Sequence, residues 1–424
     1  MQKIFTYKSG LRLIVNTMQG INSTCLSVFV NTGSINETTS NNGISHFVEH
    51  CMFKGTEKRT AKDIAVFADQ IGANINAFTT NFYTCYYTRT IQENLENCFE
   101  LLSDMLNNST FKQEELDKER KVILEEKVMY EDDPSSTCEE VCTTSFYKGT
   151  PLQRTIIGTD KSLHKINRKQ IKEYLSNFYT PNNIIIAVAG NVSYETAKKL
   201  CDKYFQSYYK NQNNRPIVNK NEGEHKPQQS YQVHTPKDIE QDHICVMYPT
   251  PNIYSKKLPQ LNVFNTIFGG MMSSRLYQRI RENLGFVYTI QSMVKPNKFG
   301  GDLCIYFATT PKNTEEAIKQ LKEEIEIVKN QGISQEELNK AKSNYKSSLL
   351  VRSDNPTFVA NNACVQLLNY GKITNIEKQV EQIEKLSLKA VNKIIEQIFN
   401  NNCVISVVSK QNNKKLKEIF IGKK

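Results

Sequence analysis

The sequence predicts an α+β protein built from two copies of one domain, each a mainly antiparallel sheet packed with helices. Three observations predict it. The chain is 424 residues long, more than one hydrophobic core usually serves. Residues 113–134 read QEELDKERKVILEEKVMYEDDP and residues 335–356 read QEELNKAKSNYKSSLLVRSDNP, at a constant offset of 222 residues. A long-period repeat seen only twice marks a duplicated domain, not a solenoid. Strand-like runs also adjoin through short turns while helical patterns cluster between them, which argues against a parallel sheet.

The elements follow in order. Apolar and β-branched runs predict strands at 11–16, 24–31, 82–90 and 184–190. Helical spacing predicts helices at 43–54, 60–71, 91–107, 113–130 and 165–178. Asn76-Ala77-Phe78-Thr79 and Tyr83-Thr84-Cys85-Tyr86-Tyr87 read as a hairpin turning at Thr80-Asn81. The halves close alike. Ile184–Ala189 and Cys403–Val408 each follow an Asn-Asn pair and precede a Lys-rich segment, Lys198-Lys199-Leu200 or Lys414-Lys415-Leu416. Between the halves, Asn211 to Ser230 is polar, with prolines and almost no apolar residue, the composition of a linker. The expected division is 1–212, a linker at 213–230, and 231–424.

Composition narrows the function classes. No apolar run reaches the length of a membrane span. The start, Met1-Gln2-Lys3-Ile4-Phe5, has neither a signal core nor an Arg-rich amphipathic stretch, which predicts a cytoplasmic protein, or an organelle-matrix form already processed. The net charge of +10 comes from dispersed lysines without a nucleic-acid motif. The eleven cysteines are an odd number, scattered and without a C-x-x-C pair. They read as reduced thiols packed like small hydrophobes. Cys51 follows His50 on the wrong helix face to be a ligand and reads as packing.

The chemistry is carried by His46-Phe47-Val48-Glu49-His50. Histidines four apart stack on one helix face, where both can bind one zinc ion. Glu49 beside them can take a proton from water that the ion activates. This is the inverted zinc-peptidase order, H-x-x-E-H. A catalytic zinc needs a third protein ligand and one open position. Glu119, Val122, Glu126 and Met129 share one face of the 113–130 helix. Two carboxylates on such a stripe are expensive to bury unless they are paired or bind metal. At the repeat offset they become Ala341 and Ser348, in the half that also lacks the histidine motif. A structural role common to both halves would not produce that joint loss.

These segments resemble the pitrilysin and mitochondrial processing peptidase family, on its bacterial, half-length side, and the resemblance covers essentially the whole chain. Gly43 to His50 with Phe53-Lys54-Gly55-Thr56 and Arg59 is similar to the family's metal-site segment. Glu119-Arg120 with Val122 to Glu126 is similar to the segment carrying its third ligand. The resemblance implies one zinc per chain held by His46, His50 and Glu126, with Glu119 supporting a ligand histidine and Glu125 turned to solvent. It implies a substrate-binding edge strand at 72–79, with Asn76, Ala77, Phe78 and Thr79 in contact with a peptide that adds as a strand. In the second half, Ser274-Arg275-Leu276 and Arg281 to Tyr288 resemble a segment whose arginine and tyrosine contact substrate, here Arg281 and Tyr288. Both can donate hydrogen bonds to a developing oxyanion.

The implied function is a zinc endopeptidase with Glu49 as general base, hydrolysing peptides or unfolded segments. The implied fold is two similar α+β domains facing across a chamber. Full-length relatives carry four such domains, so a half-length chain is expected to form a homodimer, or a heterodimer with a related subunit. Two alternatives stand beside this. One is a non-catalytic scaffold subunit of the same family, although such relatives lose the zinc motif kept whole here. The other is a processing peptidase for basic targeting segments, for which Glu131-Asp132-Asp133 is a candidate acidic patch.

Overall fold

The computed structural model describes residues 1–210, 225–236, 238–412 and 414–421. The expected linker therefore lies outside the described residues up to 224. The first sheet contains β1 (Gln2–Thr6), β2 (Arg12–Thr17), β3 (Ser23–Val30), β4 (Asn74–Thr79), β5 (Thr84–Ile91) and β6 (Ile184–Gly190) in the order β1-β2-β6-β3-β5-β4. The second contains β7 (Ser230–His234), β8 (Asp242–Thr250), β9 (Val287–Asn297), β10 (Gly300–Thr309) and β11 (Val404–Val408) in the order β7-β11-β8-β10-β9. Each sheet has one parallel pair, β2 with β6 and β7 with β11, and is otherwise antiparallel. Without β1 the two orders coincide, as a duplicated domain requires.

The first sheet is covered on both faces, so its central strands are apolar throughout. β6, Ile-Ile-Ile-Ala-Val-Ala-Gly, is buried along its whole length. Along β3 the side chains alternate. Leu26, Val28 and Val30 join the larger core, while Cys25 and Phe29 face the other way. The helices form close to their expected places: α1 (Ile44–Cys51), α2 (Ala61–Gln70), α3 (Leu95–Asn108) and α4 (Gln113–Asp132), with a further helix at Arg168–Phe178. α2 starts on a capping box between Thr60 and Asp63. A 3₁₀ turn at Gln92–Asn94 delays α3. Cys51 is buried in the core.

One layer has no counterpart among the expected elements. α5 (Pro134–Phe146) and the Pro356–Tyr370 helix begin at the Pro that closes each repeat, with Asp133 and Asn355 as N-caps. They dock crosswise. In the first unit Ala360, Ala363, Cys364 and Leu367, from the second half of the chain, pack on Ile14, Phe29, Ile185 and Ala187, and Ser27 donates to Asn361 at 2.8 Å. In the second unit α5, from the first half, packs on β8 and β11. There the Cys138 thiol lies 3.3 Å from the His243 carbonyl and Cys142 lies 3.5 Å from that of Val404. The compact units are accordingly Met1–Lys127, Arg154–Asn219 and Val351–Ile373, and Val128–Gln153, Lys220–Leu350 and Thr374–Lys424. They differ from the expected division by this exchange of helices.

The crossing layer explains much of the cysteine usage. Cys25, Cys85 and Cys364 line one docked face, and Cys138, Cys142, Cys245 and Cys304 the other. A thiol is small enough to let helix and sheet approach closely and is barely polar. All eleven cysteines are buried free thiols. Burial raises the thiol pKa of Cys25 and Cys138.

Candidate metal centre

α1 is held at its start by one buried carboxylate. Glu37 accepts from the Gly43 amide at 2.8 Å, the Asn42 side chain at 2.8 Å, and the Ser45 amide and hydroxyl at 2.9 and 2.6 Å. A negative charge there satisfies orphan amides and complements the helix dipole. Gly43 takes φ +92°, and a Cβ on it would meet the Ile157 carbonyl at 2.5 Å, so only glycine fits. Ser45 also pairs with the buried Tyr174 hydroxyl at 2.8 Å.

From this anchored helix His46 and His50 project side by side, with ring centroids 4.5 Å apart. α4 brings Glu126 to them. Its Oε2 lies 3.4 Å from His50 Nε2 and 3.8 Å from His46 Nε2. Arg120 fixes α4 by donating to the Leu163 and Ile166 carbonyls at 3.0 and 2.6 Å while stacking over Phe47 of α1. Glu119 is buried, with Oε1 3.7 Å from His50 Nδ1 and Oε2 2.6 Å from Lys54 Nζ. Glu125 is exposed. At the repeat offset Ala341 is buried and Ser348 is exposed.

The donor set fits zinc. Glu126 Oε2 is buried without a hydrogen-bond partner, a costly state for a carboxylate oxygen unless a cation sits beside it. Bonds of about 2.0–2.2 Å at tetrahedral angles place ligand atoms roughly 3.3–3.5 Å apart, near the 3.4 and 3.8 Å that separate Glu126 from the two imidazoles. The ligand atoms of His46, His50 and Glu126 all lie within 4.8 Å of one another. Two imidazoles and one carboxylate leave a fourth position open.

The electrostatics match an anionic pocket. Burial, then the neighbouring His50, lowers His46 to about 4. Burial also opposes charge on His50, but Glu119 and Glu126 outweigh it and raise that ring to about 9. His50 and His46 hold Glu126 below its usual value against the effect of burial. Glu49 is 8 % exposed. Burial raises its pKa, and a hydrogen bond from the Thr79 hydroxyl, 2.6 Å from Oε2, works against that rise.

Thr79 ends β4, the edge strand of the first sheet, which among the described residues pairs only with β5. Of the four residues expected to meet substrate, Asn76, Ala77, Phe78 and Thr79 all lie on this edge. The Asn76 side chain accepts from the Ala77 amide at 2.8 Å, while the Thr79 side chain is engaged with Glu49. In the second unit, Arg281 and Tyr288 come together. The Arg281 guanidinium lies over the Tyr277 ring at 4.4 Å and the Tyr288 ring at 5.4 Å, at the end of a π-helical turn spanning Tyr277–Asn283. Tyr288 is 80 % exposed. Arg275 has a scaffolding role instead, bonded to Glu324, Glu337 and the Gly332 carbonyl. Asp133 of the acidic patch caps α5. Sequence reasoning missed Glu37 and assigned no role to Lys54. The signal for Glu37 was a lone acid shortly before a Gly that opens a helix.

Residues 13–160 match the family model described as insulinase (peptidase family M16), and residues 165–345 match that of the peptidase M16 inactive domain. A zinc protease of Bacillus subtilis is 31 % identical over 97 % of this chain and 99 % of its own length. One from Rickettsia bellii is 31 % identical over 96 % and 97 %. Both names carry the word uncharacterized. Among solved structures, a Helicobacter pylori protease superposes with a TM-score of 0.89 at 20 % identity, covering 96 % of this chain and 99 % of that one. A Pseudomonas fluorescens structure, described as a peptidase M16 inactive domain, also gives 0.89, at 17 % identity over 97 % and 98 %. These two likenesses bear on the fold. Among the described residues no helix is long and apolar enough to cross a membrane.

Proposed function

The chain belongs to the M16 (insulinase, or pitrilysin) peptidase family as a half-length, bacterial-type member, and from that premise we propose that it is a zinc-dependent endopeptidase cutting peptides or unfolded protein segments. The observation that carries the reading is the convergence of His46, His50 and Glu126 beside the buried Glu49. When bound, zinc supplies a Lewis acid that brings the pKa of a water at its open position toward ~7.

The residues divide the remaining work. His46, His50 and Glu126 would hold the ion. Glu119, with Oε1 3.7 Å from the second nitrogen of His50, faces that ring and helps to keep it oriented. Glu49 takes the proton of the attacking water and later gives it to the leaving amine. β4 offers main-chain groups along Asn76 to Thr79 to a peptide added as a strand. Arg281 and Tyr288 donate hydrogen bonds to the oxyanion as it develops. Main-chain recognition tolerates many side chains, which suits either oligopeptide degradation or processing of unfolded segments.

Zinc content and cleavage of a random peptide library, measured on one preparation, test the proposal. The expected result is about one zinc per chain. His46→Ala and Glu126→Ala should lose metal and activity together. Glu49→Gln should keep metal and lose about 10²–10⁴-fold in kcat, because only the base is removed. Full zinc retention in Glu126→Ala would overturn the ligand set. A wild-type protein that holds zinc yet leaves the library intact would favour a scaffold subunit.

A further inference from the structure

We infer that Thr79 is a positioning residue for the general base: its hydroxyl holds one oxygen of Glu49 and so aims the other at the proton to be taken. The inference rests on the peptidase reading above. Thr79 Oγ1 donates to Glu49 Oε2 at 2.6 Å, and among the described residues this is the only hydrogen bond that carboxylate accepts. The terminal torsion of a glutamate is broad and roughly two-fold. A carboxylate with no other hydrogen-bond donor on it thus takes its orientation from this one.

The donor itself is well fixed. Threonine is stiff at χ1, and Thr79 pairs with Thr84 at the mouth of a clamped turn. Thr80 Oγ1 accepts from the Phe82 and Tyr83 amides at 3.1 and 3.0 Å. Asn81 donates to Ser34 Oγ at 2.9 Å, and its carbonyl accepts from the Ile35 amide at 3.0 Å. Gly33 lies so close that a Cβ on it would stand 2.1 Å from the Thr80 carbonyl. The turn therefore cannot drift from the residues before α1, and the hydroxyl stays on the base.

The same residue belongs to the edge on which a peptide would add. A peptide added as a strand would use main-chain groups of β4, whereas the Thr79 side chain serves Glu49. A peptide seated along β4 is thereby set in register with the base through one residue. This separates two roles that the strand position alone would merge. Substrate binding is a property of the Thr79 backbone, and base alignment a property of its hydroxyl.

Thr79→Val, which keeps the shape and removes the hydroxyl, and Thr79→Ser, which keeps the hydroxyl, test this. For Thr79→Val, kcat should fall about 10–100-fold, part of what a general base contributes. KM, and zinc affinity from chelator competition, should stay within about twofold, because β4 and the ligands are intact. Thr79→Ser should recover most of the loss. In a Glu49→Gln background Thr79→Val should cost nothing further. Without zinc, Thr79→Val should lower Tm by a few degrees, and that drop should vanish in a Glu49→Leu background. A raised KM with kcat intact would assign the side chain to substrate and overturn the proposal. Lost zinc affinity would assign it to the ligand helix and do the same. An active wild-type enzyme with an unimpaired Thr79→Val variant would sink the positioning role alone. A wild-type protein that binds zinc and cleaves nothing would sink the peptidase reading and the positioning role together.

Discussion

Lys54 stands four residues after His50, just beyond the end of α1, yet it bears on the proposed metal centre. Its ammonium, 2.6 Å from Glu119 Oε2, is the cation that makes a buried carboxylate tolerable there, and the other oxygen of that carboxylate faces His50 Nδ1. Without Lys54, Glu119 would be a buried anion facing only the ligand histidine. Lys54→Met should therefore weaken zinc binding about 10-fold, the low end for loss of support to a metal ligand, while Lys54→Arg should stay near wild type. Chelator competition reads both, and an unchanged affinity in Lys54→Met would show that Glu119 holds its place unaided. At this scale the sequence was uneven evidence. His46 and His50 were legible from their helical spacing, and Glu119 and Glu126 from a shared helix face and their replacement by Ala341 and Ser348, all patterns in the sequence itself. Glu37, Lys54 and the Thr79 hydroxyl were not, because each acts across a gap that only the folded chain closes. A lone Glu in Asn-Glu-Thr-Thr-Ser does not reveal that it will cap a helix beginning at Ile44.

Among the elements, the strands and the helices around the candidate metal centre stood out through their periodicity, and the crossing helices did not. Pro134–Phe146 reads PSSTCEEVCTTSF, poor in strong helix formers and without a marked apolar stripe. It is a helix because a sheet face of small side chains receives it, which is tertiary context overriding propensity. Asp302 helps to tie this layer down. Tyr147, just past the end of α5, donates to Asp302 of β10 at 2.7 Å, and Asn297 donates to Tyr147 at 2.7 Å. Burial raises Asp302 to about 6, with Tyr147 and Lys295 opposing the rise. The folded form thus holds this proton more tightly than the unfolded chain, whose Asp titrates near ~3.9. Its contribution is fully present below that value and is lost as pH rises through about 6. Asp302→Asn keeps an acceptor for Tyr147 and removes the buried charge. It should be more stable than wild type by up to about 3 kcal/mol at pH 7, and the advantage should shrink toward zero near pH ~4. Denaturant melts of both proteins across that range check the sign, and an advantage that grew on acidification would refute it.

For the whole molecule, the repeat announced two equivalent sheets, and the strand orders agree with it. A half-length chain is expected to act with a second copy, and Arg281 and Tyr288 then become the residues to follow. Mixing Glu49→Gln chains with Arg281→Ala, Tyr288→Phe chains tests whether a site draws on two subunits. Neither homodimer has a complete site, whereas a mixed dimer has one. With free exchange about half the dimers are mixed, so roughly a quarter of wild-type activity should return. Co-expression ensures the exchange, and no recovery from isolated mixed dimers would mean that each chain completes its own site. The exchanged helices carry a different consequence, for biosynthesis. The first sheet keeps one face bare until the ribosome has released residues 356–370, and the second waits for β11 near the end of the chain. The amino-terminal half therefore cannot finish folding while it is being translated. It must wait with a cysteine-lined apolar face open to chaperones or to aggregation. A premature stop anywhere in the second half before residue 356 leaves neither unit whole. Residues 1–212 expressed alone should be insoluble, and co-expressing 213–424 should rescue both fragments, because each half carries the helix that completes the other.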